Sequence, residues 1–219
     1  MIPNIIHQIF FDLGKGKKFT DFPLFVKYHN KQKEINNNFT VYLWNEEQIE
    51  NIVKKYEFYN IYKNFRYQIQ KVDLAKYLLL YEYGGVYLDL DLEPLRNISD
   101  LLDKNILLCN SPREHCQNNC IGSEKKNPLF LDLINYSINE YQNKKDIEVY
   151  NTWQSRFIIQ TTGPKMMARF FKQYKNIPIN KIIEVPDFKE YVDNPYFRDY
   201  CTKTWMPKIF YNNNNHLNI

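Results

Sequence analysis

The sequence predicts an α/β domain in which a central, mostly parallel sheet is flanked by helices. Apolar segments of strand length alternate with segments of helical periodicity, an order typical of α/β folds. The first apolar segment is nearly continuous, as expected for a parallel strand covered on both faces. The 219 residues are 44% hydrophobic and include 18 Tyr and 15 Phe, which is enough for a sizeable core. We therefore expect residues 1–219 to form a single domain with a short polar tail at about 212–219.

Each element has its own signal. Asn45 and Gln48 form the pattern of a capping box that begins a helix. Gly84 ends a later helix, and Pro164 stands in the first turn of another. In chain order, the predicted elements are a strand over residues 4–11, a helix over 22–35, a strand over 39–44, mostly helical structure over 47–67, a helix over 68–83, strands over 86–88, 106–109 and 119–122, helices over 128–141 and 164–174, and a strand over 181–185.

Charge and cysteine content exclude several classes of protein. A net charge of +4 suits a small polyanionic ligand, and no concentrated basic stripe supports nucleic-acid binding. The cysteines match neither a disulfide framework nor a standard zinc pattern, so free thiols are the favoured interpretation over zinc. No apolar run approaches the ~18 residues needed to cross a bilayer, and no signal peptide is recognisable. We therefore expect a cytoplasmic protein without a membrane span.

Two carboxylates stand directly after the strand predicted at residues 86–88. Because successive strand residues point to opposite faces, Asp89 and Asp91 are predicted to project the same way while Leu88 and Leu90 face the core. Paired carboxylates suit a hard divalent cation with oxygen ligands, which would bridge to phosphate oxygens. A solvated strand end is the alternative, since a bare D-x-D pattern arises often by chance. The preceding Gly84-Gly85 and apolar strand favour the functional interpretation.

The helix before that strand carries a third acid. Asp73 and Lys76 are one helical turn apart and face the same way. Alone, they would be interpreted as an intrahelical ion pair of about 0.3–0.5 kcal/mol. Their position one helix length before the acid pair favours a functional interpretation. Asp73 can accept hydrogen bonds from sugar hydroxyls, and Lys76 can neutralise a diphosphate or support Asp73.

The first strand contains three side chains whose role stays open. A single His beside an apolar run, such as His7, is more often a core residue than a ligand. Gln8 is equally ambiguous. Phe10 suits either the core or stacking on a base.

With these residues in hand, the chain resembles the D-x-D sugar-binding glycosyltransferases of the Och1-like mannosyltransferase and capsular-polysaccharide type, and more distantly the glucosylating clostridial toxins. The similarity covers roughly residues 2–165 in the expected order. The matching segments are residues 2–10, 72–77, 83–91, 119–123 and 162–164. The ordered set is more specific than any one segment.

This resemblance implies a GT-A fold with one Rossmann-like domain, and it assigns roles to individual residues. Asp91 is implied to ligate the metal, Asp89 to touch the ribose or the metal's water shell, and Asp73 to hold donor-sugar hydroxyls. Phe10 is implied to lie against the base and Asn119 near the donor sugar. His7, Gln8 and Gly85, which stand in the matching segments, complete the predicted donor-binding set. Asp73, Lys76, Asp89 and Asp91 form the predicted catalytic group.

The implied activity is retaining transfer of a hexose from a UDP- or GDP-sugar to a glycan, lipid-linked or protein acceptor, with Mn²⁺ or Mg²⁺ as cofactor. Two departures matter. Lys76 stands where relatives usually carry Arg, and Lys lacks the bidentate fork. His216 is the only candidate for the His/Trp-rich segment that completes the metal shell in relatives. A nucleotide-sugar hydrolase, a nucleotidyltransferase and a non-catalytic nucleotide-sugar-binding protein therefore stay as alternatives.

Overall fold

The strands and helices follow one another in the predicted alternating order. A computed structural model describes residues 1–12, 16–103, 105–111, 115–147, 153–173 and 196–199. The strands are β1 (Ile5–Ile9), β2 (Thr40–Trp44), β3 (Gly85–Leu88), β4 (Leu92–Pro94), β5 (Ile106–Ser111), β6 (His115–Ser123) and β7 (Phe197–Asp199). The α-helices are α1 (Pro23–Ile35), α2 (Glu46–Val53), α3 (Tyr59–Lys63), α4 (Gln68–Tyr83), α5 (Pro128–Lys144), α6 (Gln154–Thr161) and α7 (Pro164–Gln173). Short 3₁₀ turns occupy Phe19–Asp21 and Ser99–Leu101.

The main sheet confirms the predicted α/β architecture. Its strand order is β2-β1-β3-β6-β5, with β1 parallel to both β2 and β3. The next strand, β6, is antiparallel to β3 and to β5. The two strands predicted at residues 106–109 and 119–122 are both longer than expected and form this antiparallel side. A separate two-stranded sheet joins β4 to β7.

The sheet lies between two apolar layers. On β3, Tyr87 belongs to the layer built by α4 and the C-terminal helices, whereas Val86 and Leu88 belong to the layer on the opposite face. This alternation buries both faces of β3, as expected for a central strand. The buried helix α4, which carries Asp73, and the buried strand β3, which leads into Asp89, meet at Gly84.

The structure confirms one predicted helix start and corrects other bounds. The capping box at Asn45 is present, since Gln48 N donates to Asn45 Oδ1 at 2.9 Å and Asn45 N donates to Gln48 Oε1 at 3.0 Å. The helical stretch predicted over 47–67 is divided into α2 and α3, with turns between them. Helix α6 and strands β4 and β7 were not predicted from the sequence. The predicted strand at 181–185, the tail at 212–219, Cys201 and His216 lie outside the described residues. The described cysteines are free thiols, namely Cys109, Cys116 and Cys120.

Candidate active site

Helix α4 brings Asp73 and Lys76 to the carboxyl edge of the parallel strands. Only Gly84 separates α4 from β3, so the helix runs back along the sheet and its N-terminal half lies beyond the end of β3. Residues along this half are buried on nearly every side, including Asp73 at 4% and Lys76 at 3% exposure. The two ionisable side chains are therefore held inside the protein, where a charge needs a partner.

The glycine pair fixes how β3 enters the sheet. Gly84 and Gly85 have φ values of +67° and +99°, which L side chains rarely adopt. A Cβ on Gly85 would stand 2.5 Å from the carbonyl oxygen of Ile5. Gly85 therefore allows the close approach of β3 to β1, and its place in the structure is a backbone contact with β1.

The acid pair lies in a turn, which corrects the prediction that strand alternation aligns Asp89 with Asp91. Strand β3 ends at Leu88, and Asp89 N donates to Asn119 O at 2.8 Å. The chain then reverses, with Leu92 N donating to Asp89 O at 3.2 Å, before β4 begins. The two aspartates thus occupy successive corners of a tight connection at the end of a buried strand.

Lys76 joins the predicted acids into one charged cluster. Its Nζ lies 3.0 Å from Asp89 Oδ1 and 3.5 Å from Asp73 Oδ1. Tyr87 lies alongside, donating its hydroxyl to Asp89 Oδ1 at 2.7 Å. Burial acts to lower the pKa of Lys76, but the carboxylates of Asp89 and Asp73 outweigh it and raise that pKa. Lys76 is therefore positively charged at neutral pH.

Asp73 is held by two side chains that the sequence did not place at the site. Asn118 Nδ2 donates to Asp73 Oδ1 and Thr162 Oγ1 donates to Asp73 Oδ2, each at 2.9 Å. Burial raises the pKa of Asp73, opposed by Lys76 and by the hydrogen bond from Thr162. Asn118 stands just before the matching segment 119–123, and Thr162 stands in the matching segment 162–164, but no site role was predicted for either. Their contact with Asp73 depends on sheet and helix packing, which local patterns do not encode.

A fourth carboxylate reaches the site from the distant strand β7. Asn119 Nδ2 donates to Asp199 Oδ2 at 3.0 Å. In the β4–β7 pairing, Asp199 lies opposite Leu92, and Leu92 is the residue that follows Asp91. Asn119 is 9% exposed, and its Oδ1 is buried without a hydrogen-bond partner in the described structure. Sequence reasoning missed Asp199, because nothing in residues 196–199 resembles a motif.

The first strand places its polar side chains in internal hydrogen bonds. His7 Nδ1 accepts from Trp44 Nε1 at 3.0 Å, so its Nε2 carries the hydrogen and donates to Gly84 O at 2.8 Å. Burial lowers the pKa of His7 to about 4, so the ring is neutral. Gln8 Oε1 lies 2.6 Å from His29 Nδ1. His7 and Gln8 thus make hydrogen bonds inside the protein, and their role in binding the donor stays a prediction.

Phe10 lies just beyond the carboxyl end of β1. It is half-buried and makes edge contacts with Phe19 and Phe22, with ring centroids 5.6 Å apart in each case. Those rings come from the segment that leads into α1. This position, next to the carboxyl ends of β1 and β3, is compatible with the predicted contact to a nucleotide base.

Asp89 and Asp91 are the side chains that suit a divalent metal at this site. Asp89 and Asp91 offer carboxylate oxygens, the ligand type that Mn²⁺ and Mg²⁺ prefer. Lys76 and Tyr87 both contact the Oδ1 atom of the Asp89 carboxylate. Over the described ranges, no group of three or more His, Cys, Asp and Glu side chains is arranged to hold a metal ion. Two carboxylates fit a cation whose remaining ligands are water and substrate phosphates, and His216 lies outside the described residues.

Comparison with known proteins confirms the predicted resemblance. Residues 24–108 match the family described as "Glycosyltransferase sugar-binding region containing DXD motif". The chain is 29% identical over 214 residues to a mannosyl phosphorylinositol ceramide synthase of Saccharomyces cerevisiae, covering 94% of this chain and 53% of the relative. It is 29% identical over 191 residues to an uncharacterized glycosyltransferase of Acanthamoeba polyphaga mimivirus, covering 83% and 70% respectively.

A third relative is inositol phosphoceramide mannosyltransferase 3 of Schizosaccharomyces pombe, which is 25% identical over 214 residues, covering 93% of this chain and 56% of the relative. The chain thus spans about half the length of the fungal relatives it matches. The predicted similarity to glycosyltransferases is confirmed.

Solved structures agree on the fold. The PaToxG glycosyltransferase superposes with a TM-score of 0.57 at 16% identity, covering 81% of this chain and 70% of that one. The glycosyltransferase domain from the YGT toxin superposes with a TM-score of 0.52 at 9% identity, covering 84% and 79%. These likenesses confirm the predicted GT-A fold. None of the helices in the described part of the chain is both long and apolar enough to cross a membrane.

Proposed function

Since the chain shares the sequence pattern and the fold of the DXD-motif glycosyltransferases, we propose that it transfers a hexose from a nucleoside diphosphate sugar, with retention and with Mn²⁺ or Mg²⁺. The observation that carries this proposal is the carboxylate–lysine–carboxylate cluster of Asp73, Lys76 and Asp89, in which Asp73 and Lys76 are buried. It lies at the carboxyl ends of parallel strands, where open α/β sheets generally bind nucleotides.

The charges of the cluster suit a diphosphate leaving group. Lys76 supplies a fixed positive charge, and Asp89 and Asp91 would hold the cation. When bound, the metal would neutralise negative charge on the departing nucleoside diphosphate. Asp73, already bound to Asn118 and Thr162, is held in place to accept hydrogen bonds from sugar hydroxyls rather than to attack the anomeric carbon.

Retention can be achieved without a protein nucleophile. The acceptor hydroxyl would attack the anomeric carbon from the face that the diphosphate leaves, through an oxocarbenium-like transition state. The new glycosidic bond forms as the bond to the phosphate oxygen breaks, and the leaving phosphate takes the proton of the hydroxyl. The chain's own residues then serve to orient the donor and to stabilise the leaving group.

The names of the relatives suggest which substrates to test first. Two of the similar proteins are named for mannosyl transfer to inositol phosphoceramide. We therefore propose mannose as the transferred hexose and an inositol-bearing glycolipid as the acceptor. Because the chain spans only about half of those relatives, glycan and protein acceptors belong in the same test.

A donor panel tests the proposal. GDP-mannose, GDP-fucose, UDP-glucose, UDP-galactose and UDP-N-acetylglucosamine would each be added with Mn²⁺ or with EDTA, and thermal stabilisation and nucleoside diphosphate release recorded. Asp91→Asn tests the metal site, and Asp132→Asn, on the exposed face of α5, is the matched control. We expect one donor to stabilise the protein only with metal, and this effect to be lost in Asp91→Asn alone.

Other outcomes separate the alternatives. Identical donor responses in Asp91→Asn and the parent protein would contradict the metal site. Diphosphate release that no acceptor accelerates would favour a nucleotide-sugar hydrolase. Donor binding without release, with every acceptor tried, would favour a non-catalytic binding protein.

A further inference from the structure

We propose that Asp199 is a positioning residue of the donor-sugar site and acts through Asn119. This inference rests on the proposed function, because it assigns Asn119 to the sugar of a nucleotide-sugar donor. It goes beyond the D-x-D pattern by adding a carboxylate from the far end of the described chain, on β7.

Asn119 stands directly beside the acid turn, which is the turn at residues 89–92 that contains Asp89 and Asp91. Its backbone oxygen accepts from Asp89 N at 2.8 Å, so the residue is in register with the end of β3. Its side chain is nine-tenths buried, at 9% exposure. The amide is therefore part of the wall of the predicted site, and its orientation determines what that wall offers to a ligand.

Asp199 fixes that orientation. Asn119 Nδ2 donates to Asp199 Oδ2 at 3.0 Å. Rotating the amide by half a turn would place Oδ1 against the carboxylate and replace attraction by repulsion, so the assignment of nitrogen and oxygen follows from the contact. Because Nδ2 donates to Asp199, Oδ1 is left as the acceptor that this side chain can offer to a ligand.

That acceptor lacks a donor. In the part of the chain that the structure describes, Asn119 Oδ1 is buried and has no hydrogen-bond partner. Buried acceptors are nearly always paired, and leaving one unpaired destabilises the protein. A sugar hydroxyl is the donor that the proposed substrate would bring to this place. The nucleoside diphosphate alone lacks the hexose hydroxyls assigned to this acceptor, and this difference between GDP-mannose and GDP makes the inference testable.

The strand that carries Asp199 is anchored independently of Asn119. Phe197 is 1% exposed and packs into the apolar layer that contains Val86 and Leu88. The backbone of β7 pairs with β4 over three residues. Arg198 Nη1 lies 3.2 Å from Glu93 Oε2, but the Arg198 side chain is 61% exposed, so this ion pair contributes little to the docking of the strand. Because Phe197 and the backbone pairing hold β7 without the side chains of Arg198 and Asp199, a change at Asp199 tests the amide's orientation rather than the docking of the strand.

The experiment compares affinity for a donor with affinity for its nucleotide. GDP-mannose and GDP, each with Mn²⁺, would be titrated calorimetrically into the parent protein, Asp199→Ala, Asp199→Asn and the control Arg198→Gln. In Asp199→Ala we expect the ratio of GDP-mannose to GDP affinity to fall about tenfold, which is the effect of losing one well-placed hydrogen bond. Asp199→Asn keeps an acceptor oxygen and should recover most of the ratio, and Arg198→Gln should leave it unchanged.

Kinetics provide a second readout on the same variants. Because the lost contact is to the ground-state sugar as well as to the transition state, Asp199→Ala should raise KM for the donor more than it lowers kcat. An unchanged affinity ratio in Asp199→Ala would overturn the inference, as would an equal loss for GDP and GDP-mannose. A parent protein that binds neither GDP-mannose nor any other donor of the panel would instead overturn the proposed function, and this inference with it.

Discussion

Replacing Lys76 with Met is the most direct test of the charged cluster. The change keeps an apolar stem of similar length but removes the charge between Asp73 and Asp89, whose oxygens lie 3.5 and 3.0 Å from Nζ. Removing one partner of a buried ion pair costs roughly 3–5 kcal/mol. Asp73 keeps its hydrogen bonds from Asn118 and Thr162, and the side chain of Asp89 is 30% exposed, so we expect a loss near the lower limit.

A loss of about 3 kcal/mol corresponds to a fall in Tm of about 6 to 12 °C for a domain of this size. Urea unfolding followed by circular dichroism would give the free energy of unfolding, and thermal unfolding the Tm. Lys71→Met is the matched control, because Lys71 stands on the same helix and pairs at 3.6 Å with Glu46, whose side chain is 42% exposed. That variant should lose less than about 1 kcal/mol.

A double variant separates charge from packing. Adding Asp73→Asn to Lys76→Met removes a buried anion together with its cation, so stability should rise above that of Lys76→Met alone. If Lys76→Met loses no more stability than Lys71→Met, the buried ion cluster does not stabilise the fold as we argue. A double variant less stable than the single one would show that packing, and not the unpaired carboxylate, causes the loss.

Three further predictions follow from other contacts. Gly85→Ala should lower the free energy of unfolding by about 3 kcal/mol in urea melts, because its Cβ would stand 2.5 Å from Ile5 O. Gly16 also has a positive φ, of +65°, but has no atom within 4 Å of the added Cβ, so Gly16→Ala should lose only about 1 kcal/mol. Thr162→Val should lose about 2 kcal/mol through the buried carboxylate on α4, and Thr162→Ser should lose much less; equal losses would exclude the hydroxyl as the cause. His7 is neutral and buried with its pKa lowered from 6.5 to about 4, so the unfolded chain binds its proton first and stability should fall by up to about 3 kcal/mol as the pH drops from 6.5 to 4; a His7→Gln variant with the same pH slope would contradict this.

Local signals in the sequence were sufficient for the centre of the fold. The helix before Gly84 and the apolar strand after it were predicted because periodicity, a glycine stop and an uninterrupted apolar run agree over adjacent residues. For the same reason the i, i+3 pair of Asp73 and Lys76 was found, since both stand on one face of one helix. The sequence also placed Asp89 and Asp91 correctly at the end of the strand.

Contacts between distant segments were not predictable in this way. The turn at Asp89 depends on the hydrogen bond to Asn119 O on a neighbouring strand, which local alternation does not reveal. The bond from Thr162 to Asp73 spans 89 residues, and strand β7 has only three residues. Such short strands are defined by their partner rather than by their own composition. The site residues missed from sequence are therefore those whose role is to hold another side chain.

The pairing of β4 with β7 has a consequence for the order in which this protein can assemble during synthesis. Glu93 on β4 and Arg198 on β7 are 105 residues apart in the chain. At about 5–20 residues per second, roughly 5 to 20 seconds separate their translation. During that interval the five strands of the main sheet can already pair, while β4 presents an open edge to other chains. The carboxylates of the acid turn would therefore be in place before strand β7 brings Asp199 to Asn119. A nascent chain halted in this interval would expose both the edge of β4 and the apolar surface that Phe197 later covers.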